Sequence, residues 1–160
     1  MKYSRKSTRS SVNKTGRSSV NKTRKNISSN SSKKQIVTQM LEMLITVKLY
    51  HWNTLSHSVH TATDELYGEL NTLIDQFVEV LLGKHNNISE RNKNEILSIK
   101  SLQLNNYKDN GKFKQQLESY KKYLIGLSNH FSQSENSDLL NIRDEILADL
   151  NQFFYLLTFK

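Results

Sequence analysis

Between residues 58 and 83 the side chains Val59, Ala62, Leu66, Leu70, Leu73, Phe77 and Leu81 recur at steps of three or four. That is the period of an amphipathic α-helix whose apolar stripe must face a core. The same spacing runs through Ile36, Met40, Met43, Leu44, Val47 and Tyr50, and no proline interrupts either stretch. Helices are expected over about 34–56, 58–83, 112–131 and 138–159, with a short one around 90–102, and Gly83 marks a C-terminal stop. Strand signals are absent. The fold class this implies is all-α, a four-helix bundle with a short extra helix between the second and third main helices.

A second pattern lies beside the apolar stripe. Asp64, Asp75 and Glu79 follow His60 at +4, +15 and +19, rotations of about 40°, 60° and 100° around a helix. These four metal-ligand types therefore share one flank, next to the core stripe. His51 stands just before them in sequence, at the end of the preceding helix. Along a straight helix His60 and Asp75 would be roughly 22 Å apart, so one chain cannot close a site around one ion. Two copies of the helix packed antiparallel about a two-fold axis would bring His60 of one near Asp75 and Glu79 of the other, giving two mixed sites. Imidazole with carboxylates and no thiolate suits Fe(II), with Zn and Mn as weaker candidates.

Charge is divided along the chain. Lys2, Arg5, Lys6, Arg9, Lys14, Arg17, Lys22, Arg24, Lys25, Lys33 and Lys34 fall in residues 1–34 with no acidic residue, so of the formal +8 this segment supplies +11 and the remainder −3. The segment is rich in Ser, Asn and Thr, and the motif at residues 9–15 recurs at 17–23. Nothing in it can bury a core, and it is expected to be a disordered basic tail in front of a helical domain over 35–160. Uncompensated cations gain affinity from phosphates through counterion release, which points to DNA, or to RNA, as partner. The Arg- and Ser-rich leader also resembles an organelle transit peptide. No segment has the length and apolarity of a membrane span. With no cysteine a disulfide framework is excluded, and a soluble cytoplasmic, nucleoid- or virion-associated protein is expected.

The stretch Tyr50-His51-Trp52-Asn53 followed by His60, Asp64, Tyr67, Asp75 and Glu79 resembles the ferroxidase motif of the Dps family, the DNA-binding mini-ferritins, a group with Dps-like relatives in large DNA viruses. The resemblance implies a ferritin-like bundle that assembles at least as a dimer and typically as a dodecameric shell. It implies oxidation of Fe(II), with peroxide as oxidant, and storage of ferric iron inside. Carried over by position, His51 and His60 look like ligands from one subunit and Asp75 and Glu79 like ligands from its partner. Asp64 would bridge or support, and Trp52 would pack beside the iron. The sequence departs from the family in two places. His51 and His60 are closer together than the family usually has them, so that His57 competes for the first-helix role, and Val80 stands where an arginine commonly follows the glutamate.

Blander readings compete. A histidine is more often exposed or structural than a ligand, and His85 and His130 are read that way; Tyr67 reads as packing, and Glu65 and Glu69 as solvated helix carboxylates. An architectural nucleic-acid-compacting protein with a vestigial metal site would use the same bundle and tail, through multivalency rather than catalysis. A degenerate ferritin-like module that only dimerises is the third reading.

Overall fold

The computed structural model describes residues 16–84 and 90–159, with side chains from residue 30 onward. Five α-helices follow in order: α1 (Gly16–Asn53), α2 (His57–Gly83), α3 (Glu90–Leu97), α4 (Asn110–Gly126) and α5 (Gln133–Leu156), with a 3-10 turn at Leu127–Asn129 after α4. Among the described residues there is no strand, and no helix is long and apolar enough to cross a membrane. The protein is all-α. Its long helices touch in a ring, α1 on α2, α2 on α5, α5 on α4 and α4 on α1, while α3 lies against α1.

The core follows the helical stripes. Val47 of α1, Leu70 and Phe77 of α2, Phe113 and Leu117 of α4, and Leu139, Ile146 and Leu150 of α5 are all fully buried. Phe113 is the junction: its ring stacks on Tyr50 of α1 at 3.8 Å and meets Phe153 of α5 edge-on at 6.1 Å. Truncating such a side chain to alanine costs about 3–5 kcal/mol, because the cavity cannot collapse.

Helix ends follow from local chemistry. Ser56 caps α2 by accepting the backbone N–H of Val59, and Asp109 caps α4 by accepting that of Lys112 at 2.8 Å; each cap is worth about 1 kcal/mol. Asn136 has non-helical angles inside α5 (φ −134°, ψ 29°). Beyond it Asp138 accepts the N–H of Leu139 at 2.9 Å and pairs with Lys84, at the end of α2, at 2.5 Å. The expected short helix stops at Leu97, and its fully buried Ile96 is the anchor. The connection that follows is held by a buried carboxylate, Glu42, which accepts the N–H of Gln103 at 2.6 Å and the amide of Gln39 at 2.5 Å.

The N-terminal boundary needs correcting. The sequence reading begins the first helix at about Lys34 and leaves 1–34 disordered, whereas α1 starts at Gly16. The reason is visible at its inner end, where Asn30 is buried and donates to Glu95 of α3 at 3.0 Å, and Lys34 Nζ donates to Ser98 at 3.2 Å. A segment whose few apolar residues, Val20 and Ile27, form no helical stripe is thus partly held through its inner end. Of the basic residues, Arg17, Lys22, Arg24, Lys25, Lys33 and Lys34 fall within α1, and Lys2, Arg5, Lys6, Arg9 and Lys14 lie outside the described residues.

Candidate metal centre

Only residues 54–56 separate α1 from α2, so the last turn of one helix faces the first turn of the next. His51 and His60 meet there. Their rings stack with centroids 3.9 Å apart and planes 26° from parallel. Each uses its Nδ1 on the other's backbone: His51 Nδ1 lies 3.0 Å from the His60 carbonyl oxygen, and His60 Nδ1 lies 3.0 Å from the His51 carbonyl oxygen. A carbonyl oxygen only accepts, so both Nδ1 atoms carry the proton, and in neutral rings both Nε2 atoms keep a lone pair. That is the tautomer a metal-ligating histidine needs when its far nitrogen is oriented by a backbone carbonyl.

Asp64, one turn along α2 from His60, brings Oδ1 within 3.6 Å of His51 Nε2. The same oxygen lies 3.4 Å from Lys48 Nζ, one turn before His51 on α1. The lysine is also 4.5 Å from the ring centre of Tyr67 and 5.8 Å from that of Trp52. Trp52 itself is 67% exposed. Its indole contacts a cation and leaves an apolar surface open beside the histidines. Thr63, on the buried side of the cluster, donates its hydroxyl to the Val59 carbonyl at 2.8 Å and lies 3.3 Å from His51 Nδ1.

The structure therefore brings together His51, His60 and Asp64. It does not bring in Asp75 or Glu79, which are exposed further along α2. Among the described residues no three His, Asp or Glu side chains converge in a geometry that would hold a metal ion. His57 is exposed on the first turn of α2, and His51 is the histidine stacked on His60. His130 is exposed after the 3-10 turn, and His85 lies outside the described residues.

Lys48 and Thr63 escaped the sequence reading, although each is three residues from a histidine that it did single out, and so on the same helix face. A carboxylate seam between α2 and α5 escaped it too. Glu69, Glu145 and Asp149 line one open groove with Gly68 and Thr72, and Glu65 joins Glu69 and Asp149 in the next. Burial, the charge and hydrogen bond of Glu69, and the charge of Glu145 push the Asp149 carboxyl up to about 6. Its Oδ2 is buried without a hydrogen-bond partner among the described residues.

No curated protein and no solved structure matches the chain. One family model does, over residues 51–157, a span that opens on His51 and takes in His60, Asp64, Asp75 and Glu79 while leaving out the basic segment. That span is most of the chain, and the protein belongs to this family of unknown function, DUF5856.

Proposed function

We propose that the protein is a Dps-like mini-ferritin on a ferritin-like four-helix bundle, binding and oxidising Fe(II) at sites shared between subunits and storing the ferric product. The observation that carries this reading is the reciprocal histidine clamp: two Nδ1–H groups held by backbone carbonyls leave a lone pair on each Nε2, and Asp64 Oδ1 lies 3.6 Å from that of His51. Two nitrogens and one oxygen are a partial ligand set suited to Fe(II). Asp75 and Glu79, exposed on the same helix, would complete it from a second copy packed antiparallel across a two-fold axis, and a dodecamer is the assembly the reading favours. The iron is the substrate: two Fe(II) become two Fe(III) while one hydrogen peroxide takes two electrons and two protons to form two waters. The chain's part is to orient the imidazoles and carboxylates and to leave coordination positions open. The basic residues from Lys2 to Lys34 would bind DNA through its phosphates, RNA being an alternative partner.

The test mixes metal-free protein anaerobically with Fe(II), adds stoichiometric peroxide, and follows ferric absorbance while light scattering sizes the particle. Fast oxidation by a particle larger than a dimer is expected, as is its loss in the Asp75→Ala/Glu79→Ala double variant with dimers retained. Wild-type rates in that variant would reject the shared site.

One observation favours the architectural alternative, in which the metal site is vestigial. Lys48 already places a cation on Asp64. Deleting residues 1–29, which keeps Asn30 and Lys34 and their contacts with Glu95 and Ser98, separates the two activities: nucleic-acid binding should fall sharply under both readings, whereas iron oxidation persists only under the first.

A further inference from the structure

We infer that Thr63 is a positioning residue that decides which nitrogen of His51 faces outward; the inference rests on the metal reading for its purpose but not for its geometry. A neutral imidazole has one proton, and acceptors on two sides of the ring compete for that of His51. On the Nδ1 side lie the His60 carbonyl at 3.0 Å and the Thr63 hydroxyl oxygen at 3.3 Å. On the Nε2 side lies Asp64 Oδ1 at 3.6 Å, already drawn toward Lys48 Nζ at 3.4 Å.

Thr63 is fully buried, and its single hydroxyl proton is committed to main-chain oxygens, with Val59 O at 2.8 Å and His60 O at 3.0 Å. Its remaining lone pairs therefore face His51 Nδ1 as an acceptor. Two oxygens on one side against one distant, partly neutralised carboxylate on the other put the proton on Nδ1. Without the Thr63 oxygen the contest becomes one carbonyl against one carboxylate. The competing arrangement is then Nε2–H donating to Asp64, which blocks the nitrogen that a metal would use. Among the described residues His60 Nδ1 has one acceptor, the His51 carbonyl, so the two histidines are not equivalent: His51 is buried and doubly held, and His60 is exposed and singly held.

The experiment uses the full chain without metal. Nitrogen-15 shifts of the His51 ring are recorded in the wild type, in Thr63→Val, which keeps the shape but removes the oxygen, and in Thr63→Ser, which restores it. Circular dichroism checks that each variant folds. The expected result is an Nδ1–H tautomer in the wild type, a shift toward Nε2–H in the valine variant, and recovery in the serine variant. Titration with Co(II) as probe should show affinity falling about tenfold in the valine variant, the low end of what removing an outer partner of a ligating histidine costs, with recovery in the serine variant. A folded valine variant that keeps the wild-type tautomer overturns the role assigned to Thr63. A tautomer shift in a protein whose wild type binds no Co(II) supports that role and instead counts against the metal reading.

Discussion

Two polar clusters flank α2, and they solve the problem of burying polar atoms in opposite ways. At the α1–α2 turn the atoms of His51, His60 and Thr63 are matched donor to acceptor within about one helical turn of chain on each side. At the α2–α5 seam Glu69, Glu145 and Asp149 are all acceptors when ionised, and Asp149 Oδ2 has no partner among the described residues. The first cluster fixes its proton positions through backbone carbonyls, which do not titrate. The second can be satisfied only by taking a proton from solvent, so its state follows pH. A hairpin supplies main-chain partners by proximity; a helix–helix seam supplies only what side chains bring.

Removing the matched cluster should have the largest effect. His51→Ala leaves the His60 Nδ1–H bond in place but deletes the stacked ring and exposes Thr63 to an unfilled space. Urea unfolding should show a loss of about 2 kcal/mol, the range for leaving buried polar partners unpaired. Co(II) binding should vanish with it. A variant as stable as the wild type would mean that the clamp is ornamental to the fold.

The seam should respond next, and with a definite sign. The folded Asp149 carboxyl titrates near 6, above its ordinary value, so its contribution to stability is complete in acid and is lost as pH rises from about 4 through about 6. Because Asp149 is only half-buried, at the edge of an open groove, solvent screening holds the effect to the order of 1 kcal/mol. Asp149→Asn, which cannot ionise, should remove that part of the pH dependence and raise the unfolding temperature at pH 7. Parallel pH profiles of melting temperature for the two proteins would remove the distinction between the clusters.

Lys48→Gln should have the smallest effect. It frees the Asp64 carboxylate from an exposed ion pair worth less than about 1 kcal/mol, so Co(II) affinity should rise by no more than about fivefold, and less at high salt. A fall in affinity would make Lys48 a structural support of the site rather than a competitor.

Much of the scaffold could be read along the chain, because its causes are local. The apolar stripe of α2 and the stop at Gly83 predict a helix over 58–83, and the structure places it at His57–Gly83. His51 and His60 were grouped by the resemblance to the ferroxidase motif, and the three-residue connection between α1 and α2 supplies the physical reason that their rings meet. Misplacing the start of α1 had a different origin. Residues 16–34 lack the apolar period that announces a helix, and the contacts that hold its inner end, Asn30 with Glu95 and Lys34 with Ser98, come from α3 and the residue just after it, more than sixty residues away.

The sequence by itself determined that this chain is helical, that its net positive charge is confined to residues before 35, and that His60 and three carboxylates share one flank of α2. Periodicity, composition and short-range spacing are properties of the chain that no packing can alter. Only the tertiary structure decided which nitrogen of each histidine is occupied, that Lys48 shares Asp64, and that Asp149 of α5 comes to lie against Glu69 of α2. Those outcomes depend on the rotation and order of helices around the core, which are set by how Phe77, Phe113, Phe153 and their neighbours interlock. A proton's position at such a site is decided by whichever oxygen that packing delivers within reach.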